Sequence, residues 1–343
     1  MPSSNLHQLL QQIRGAAATQ NLFAVLQVPP RALQPPAAQV SRLEIAQALN
    51  MLLFEQLLDT VPEARAYVDD AIADGRKLRF DHGALRTVLT TGTGALPAGE
   101  AAITRVLLPL GYRANGLYPL DRIGMTGRSY AHEDDAEEVA QFFVSELHPE
   151  RFSSDFQQTV SRILSSSVDP IDAASARLLE QLAQTRALPV ADAAALLPVL
   201  LNCFSRQHAL PTLADYEQLL QESAEMAWIA TEGNVFNHAT DRVDDVESVA
   251  QRQRDLGRPI KDKIEVSRNG RVRQTAFRAT TVVRMLRDAH GQPVARKVPG
   301  SFYEFIARDS YLDPDTNAMR LDLSFDSGNA QGIFKMTAGA AKG

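Results

Sequence analysis

The chain has 343 residues, 45% of them hydrophobic and 22% charged, and a formal net charge of −6. That length suits two domains or one large duplicated one, and an acidic balance without a basic cluster excludes a nucleic-acid-binding surface. A single cysteine, Cys203, excludes an intrachain disulfide and a cysteine-ligated zinc site.

Residues 6–13 read as a short helix, and 20–38, rich in Ala, Gln and Pro, as a loop or extended segment. Leu43, Ile45, Leu49, Leu52, Leu53 and Leu57 recur at helical spacing, which predicts a helix over 41–58 with Ser41 as its N-cap. A further helix is expected over 63–73, ending near Gly75. A strand over 77–89, a Gly/Thr turn over 90–97, a helix over 99–110 and strands over 112–118, 124–130 and 140–147 follow. Residues 153–225 read as helical throughout, with helices over 155–166, 171–185, 191–204 and 213–225. Cys203 lies in an apolar run there, as a core thiol of a reducing compartment does. Strand character returns over 226–242, with Trp228 read as core. A helix over 244–256 opens on Asp244 and Asp245, which suit the positive end of a helix dipole. Strands are expected over 263–268, 272–287 and 302–308, then a small-residue, Gly-rich tail. No apolar run reaches the ~20 residues of a membrane span, and no apolar signal region opens the chain; the expectation is a cytoplasmic protein with no membrane partner.

One pattern occurs twice. Phe80-Asp81-His82-Gly83-Ala84-Leu85-Arg86 is matched by Phe236-Asn237-His238-Ala239-Thr240-Asp241-Arg242: Phe, then Asp or Asn, then His, then Arg four positions on. Each run opens a strand–helix–strand–strand–strand series, at 77–147 and at 226–308. A repeat of that size predicts a duplicated fold that brings two histidines together. The expected divisions are an N-terminal helical segment 1–76, a first module 77–150, a helical insertion 151–225, a second module 226–310 and a tail 311–343 that completes the site.

Alternate residues of a strand share a face, which places Phe80, His82, Ala84 and Arg86 together, and likewise Phe236, His238, Thr240 and Arg242. If two such sheets close on each other, both imidazoles point into one cavity. Four strand residues span ~13 Å, so Arg86 can fold back toward a ligand held at His82. The expected third ligand is Glu304, a carboxylate set among Phe302, Tyr303, Phe305 and Ile306, where burial is costly without a partner or a metal. Glu304 follows His238 by 66 residues, and Glu146 follows His82 by 64, so each half carries a carboxylate. Two His and one carboxylate with open positions make the facial triad of non-haem Fe(II) oxygenases; zinc takes the same ligands, and hydrogen-bonded core residues are the plain alternative. His7, His148, His208 and His290 read as surface or capping residues, and His132 as solvated beside the acidic run 133–135.

At these residues the chain resembles the 2-oxoadipate dioxygenase/decarboxylase family of the vicinal-oxygen-chelate superfamily. The resemblance rests on the two His runs, on Arg273-Gln274-Thr275-Ala276-Phe277-Arg278 and on Phe302-Tyr303-Glu304, and extends from about residue 40 to Gly332-Ile333-Phe334. It implies an α+β fold: two βαβββ modules forming a curved, partly open barrel-like sheet around one metal, with N-terminal and central helical layers. It also implies Fe(II) on His82, His238 and Glu304, and Arg86 gripping a substrate carboxylate. The implied reaction converts 2-oxoadipate and O₂ to 2-hydroxyglutarate and CO₂, in lysine breakdown. The loop Ser327-Gly328-Asn329-Ala330-Gln331, with Asn329, stands where the far carboxylate of a 2-oxo dicarboxylic acid is expected to bind. Two other readings are a glyoxalase-like isomerase with Glu146 as fourth ligand, and a metal-free small-molecule-binding protein.

Overall fold

In the computed structural model, which describes residues 4–328, the chain opens with α1 (Asn5–Val25). This helix outruns its expected end, passing Gly15, whose φ of 79° breaks its line without terminating it. After β1 (Gln39–Ser41), α2 (Arg42–Leu58) starts at a capping box. The Ser41 hydroxyl accepts from Glu44 N at 3.3 Å, and Glu44 Oε2 accepts from Ser41 N at 2.8 Å. α3 (Pro62–Ala73) has proline in its first turn, where no helical N–H is required.

A βαβββ unit follows: β2 (Phe80–Val88), α4 (Ala101–Leu107), β3 (Tyr112–Leu120), β4 (Met125–His132) and β5 (Gln141–Leu147). The middle of the chain supplies α5 (Ser154–Leu164), α6 (Ala173–Thr185), β6 (Ala187–Pro189), α7 (Val190–Asn202), α8 (Leu213–Glu222) and α9 (Ala224–Glu232). The second unit is β7 (His238–Arg242), α10 (Val246–Asp255), β8 (Glu265–Val266) and β9 (Val272–Ala276), then a hairpin of β10 (Thr281–Arg287) and β11 (Pro293–Pro299), then β12 (Phe302–Arg308). The small hairpin β13 (Ser310–Leu312) and β14 (Met319–Leu321) comes last.

The two units share one mixed eight-stranded sheet, in the order β3-β4-β5-β2-β7-β12-β9-β8, which curls into a half-barrel. Read outward from its middle, each half is alike. β2 lies parallel to β5 as β7 does to β12, and β2 and β7 meet antiparallel at the centre. The histidines are therefore neighbours across one strand pair, with Ala84 opposite His238 and His82 opposite Thr240, and not on two sheets facing each other.

Three expectations change. Residues 226–242 do not form one strand: Ser223 caps α9, which runs to Glu232, and only His238–Arg242 enters the sheet. Met226, Ala227, Trp228, Ile229 and Ala230 are all buried, and an apolar run of that length fits a buried helix as well as a strand. Residues 272–287 divide into β9, in the main sheet, and β10, which leaves it for a hairpin that the sequence reading left out. Phe80 and Phe236 leave the histidine face: the β2–β7 register slips between Phe80 and His82, and both phenyl rings pack on the opposite side, 6.4 Å apart.

One apolar cluster joins α1, α2, α3 and α7 to that opposite side through Phe142, Phe204, Phe236 and Phe305. A second, from α5, α8, α9 and the β10–β11 hairpin, packs on Ala84, Val88 and Phe143 of the histidine side. The central helical stretch thus serves both faces of the sheet.

Candidate metal centre

Strand register sets the site. His238 and Thr240 of β7, His82 and Ala84 of β2, and Phe302 and Glu304 of β12 all face one side, since alternate residues do so and these strands are adjacent. His82 Nε2 lies 3.3 Å from His238 Nε2, and Glu304 Oε2 lies 3.4 Å from each. An ion bonded at ~2.1 Å to three such atoms separates them by roughly 3.0–3.4 Å, so the triangle fits one metal. All three side chains are buried. Glu304 Oε2 accepts from Thr240 Oγ1 at 2.9 Å, whereas Glu304 Oε1 is buried without a hydrogen-bond partner among the described residues. A buried carboxylate oxygen left this way is costly, and a cation at the triangle would relieve it. The donor set therefore fits a divalent metal.

The other ring nitrogens are held from behind. Asp81 Oδ1 accepts from His82 Nδ1 at 2.8 Å, which leaves Nε2 as the unprotonated, ligating nitrogen. Asn237 Nδ2 stands 2.9 Å from His238 Nδ1; after a half-turn of the amide its oxygen accepts Nδ1–H and frees His238 Nε2 in the same way. Phe302 stacks on the His238 ring at 4.8 Å. The residue before each histidine thus has a use that the repeated Asp/Asn-His pair already signalled.

Electrostatics prepare the ligands unequally. Burial pushes the His238 pKa down to about 3, with the charge of Arg86 adding to the effect, so this imidazole is neutral at working pH. Burial also opposes protonation of His82, but its hydrogen bonds to Asp81 and Glu304 outweigh that and raise its pKa. Burial opposes ionisation of Glu304, yet His238 and His82 together lower its pKa. A metal entering here competes with a proton on His82.

The triangle sits in a small cavity walled by Ala84, Phe143, Ser145, Gln274, Phe325 and Asp326 with the ligands. Arg86 shares the face of His82, but its fully buried guanidinium lies 4.7 Å over the Trp228 ring, beyond the residues that wall the cavity. Burial lowers its pKa to about 10, offset in part by Glu225, so it keeps its charge.

Glu146 is not the counterpart of Glu304. Glu304 pairs with Thr240, two residues past His238; the equivalent place on β5, opposite Ala84, is Phe143. Glu146 lies three residues further on, an odd step that turns it to the other face. There it accepts from Glu100 N at 2.8 Å and pairs with Arg128 at 3.2 Å. The matched sequence offsets misled because the second unit carries the β10–β11 hairpin that the first lacks. Asn329 and Gly332-Ile333-Phe334 lie outside the described residues. Of the histidines expected at the surface, His132, His148 and His208 are buried: His132 and His208 donate to Leu110 O at 2.8 Å and Ala230 O at 3.0 Å, and His148 lies 2.9 Å from Thr126 Oγ1. Imidazoles with such partners are cheap to bury.

Among the described residues, no helix is long and apolar enough to cross a membrane. No curated protein matches the chain. Among solved structures, a protein assigned to the glyoxalase superfamily, from Ralstonia eutropha JMP134, is 57% identical; the match covers 94% of this chain and 99% of that one, with a TM-score of 0.89. Hydroxyglutarate synthase from Oryza sativa, crystallised with 2-oxoadipate, is 17% identical over 92% of this chain and 95% of its own, with a TM-score of 0.64. The Pseudomonas putida hydroxyglutarate synthase with 2-oxoadipate is 19% identical over 90% and 76%, with a TM-score of 0.61. At those identities the two synthases share the fold. The family model described as 2-oxoadipate dioxygenase/decarboxylase matches residues 44–335, a span that holds both histidine runs, both sheet halves and Glu304, and this chain belongs to that family.

Proposed function

We propose that the chain is an Fe(II)-dependent dioxygenase that converts 2-oxoadipate and O₂ to 2-hydroxyglutarate and CO₂. The observation that carries the reading is the convergence of His82 Nε2, His238 Nε2 and Glu304 Oε2 in one buried triangle, with Glu304 Oε1 left without a partner. Family membership supports the reaction, and the crystallisation with 2-oxoadipate of two synthases that share the fold supports the substrate.

His82, His238 and Glu304 would hold Fe(II), which would supply the redox chemistry when bound. The reaction balances without an external reductant: oxidative decarboxylation of the 2-oxo acid provides two of the four electrons that O₂ takes, and hydroxylation of the carbon beside the new carboxylate provides the other two. The protein's part is binding and orientation. Asp81 and Asn237 fix the imidazoles, Thr240 fixes the carboxylate, and Ala84, Phe143 and Phe325 give the cavity apolar walls that limit water. Arg86, a cation on the histidine face, is the expected clamp for a substrate carboxylate. Glu146 is engaged on the other face, which leaves the four-ligand isomerase without its fourth ligand.

The test is oxygen uptake by protein loaded anaerobically with Fe(II), then given 2-oxoadipate and air, with the product acid weighed by mass spectrometry. Stoichiometric O₂ loss with 2-hydroxyglutarate formed is the expected result. Uptake with a different 2-oxo acid alone would retain the chemistry and reject the substrate; no uptake with any 2-oxo acid, despite bound iron, would reject the reaction class.

A further inference from the structure

Arg308 ends β12 four residues after Glu304, and its side chain is fully buried. The guanidinium faces three ways. Its Nε donates to Asp81 Oδ2 at 2.9 Å and its Nη2 to Asp81 Oδ1 at 2.9 Å, and that same Oδ1 accepts from His82 Nδ1. Its Nη1 donates to the carbonyl oxygens of Asp322 at 2.9 Å and Ser324 at 2.8 Å. Its flat face lies 4.9 Å from the centroid of Phe325, whose ring meets His82 edge-on at 4.8 Å.

Residues 322–326 have no regular secondary structure and form one wall of the cavity through Phe325 and Asp326. Besides Arg308, Asp322 anchors the start of the strap: its Oδ2 accepts from Arg271 Nε at 2.7 Å and Asn269 Nδ2 at 2.9 Å, and its N donates to Asp309 O at 3.0 Å. Further along, Gln141 Nε2 donates to Leu323 O at 3.3 Å, Phe325 N to Tyr118 Oη at 3.2 Å and Arg268 N to Asp326 Oδ2 at 3.2 Å. One guanidinium thus binds both the carboxylate behind His82 and the backbone of the wall in front of it. An Arg is suited to this, since its fork offers two parallel donors to a carboxylate and a further nitrogen to other acceptors. A Lys at the same place is a point charge that satisfies Asp81 and leaves the two carbonyls behind.

We propose that Arg308 is a positioning residue that couples closure of the 322–326 strap to the orientation of His82, so that metal binding and cavity closure reinforce each other. This rests on reading His82, His238 and Glu304 as a metal site. Binding that fixes the His82 ring fixes Asp81, then Arg308, then the strap, and by linkage a seated strap raises metal affinity by the same factor.

The experiment is amide hydrogen exchange of residues 320–328 in the full chain, apo and with Co(II), beside calorimetric titration of apo-protein with Co(II). In the unaltered chain, Co(II) should slow exchange of the strap at least tenfold. In Arg308→Lys, the strap should exchange about tenfold faster than in the unaltered chain with or without Co(II), and Co(II) affinity should fall about tenfold, the usual size of an outer-shell effect. Co(II) binding that leaves strap exchange unchanged in the unaltered chain would overturn the coupling while keeping the metal site, and this arm needs no variant. Failure of the unaltered chain to bind Co(II) at all would overturn both. A folded Arg308→Lys protein with unaltered strap exchange and unaltered Co(II) affinity would remove Arg308 from the role.

Discussion

Arg86 and Asp241, toward opposite ends of the β2–β7 pair and on its two faces, take opposite characters. Arg86, under the cavity, keeps its charge against burial by resting on Trp228 near Glu225. As the carboxylate clamp it gives a clear expectation for Arg86→Lys: metal content unchanged and KM raised roughly 10–100-fold, the loss of a bidentate charged pair worth about 1.5–3 kcal/mol. Iron assay and steady-state oxygen uptake measure the two quantities; an unchanged KM would remove Arg86 from substrate binding. Asp241 points away from the site and accepts from Tyr67 Oη at 2.7 Å and Arg79 N at 2.9 Å. Burial raises its pKa to about 7. The folded pKa lies above the unfolded one, so the folded chain holds a proton that the unfolded chain releases. The stabilisation is complete below the unfolded value of ~3.9 and fades as pH rises through 7. Between pH 5 and pH 8 the unaltered protein should lose roughly 2–3 kcal/mol more than Asp241→Asn, read from urea unfolding of both at each pH; equal losses would show that Asp241 is ionised throughout.

At the scale of elements, the site depends on the close approach of β2 and β7. Gly83 sits between His82 and Ala84 and faces away from the histidines, and a Cβ there would run into the Phe236 ring. Phe236 in turn packs on Phe80, Phe142 and Phe204, so it has little room to move. Gly83→Ala is expected to destabilise the fold by about 1–3 kcal/mol, the cost of overpacking a filled core, and to weaken metal binding by shifting His82 against His238. Denaturant midpoints and Co(II) titration test this; a variant with unchanged midpoint would mean that the Phe236 ring yields freely.

For the whole molecule, the triangle draws on three strands from both halves of the chain, so a metal that binds there binds the folded state alone. Saturating divalent metal should raise the thermal midpoint by several degrees, in line with ~4 kcal/mol at a thousandfold excess over Kd. His82→Ala, His238→Ala and Glu304→Ala should each abolish the shift, while Glu146→Ala should retain it. A shift that survives loss of Glu304 would place the metal elsewhere.

What the sequence determined by itself is the repeated histidine run, the duplicated unit, the helix starts and Glu304 as a carboxylate too apolar in its setting to stand alone. Those signals are local: cap chemistry, apolar spacing and residue identity act over a few positions, and a repeat preserves them. The tertiary structure alone decided that Glu146 does not join Glu304 at the histidines. That depends on the pairing of β12 with β7, and a one-residue difference in register sends a side chain to the opposite face; sequence distance across an inserted hairpin carries no such information. α9 read as strand because a buried apolar run fits either element, and the Arg308 contact with Asp81 was not legible. Arg308 and Asp81 are 227 residues apart and are brought together only when both halves share one sheet.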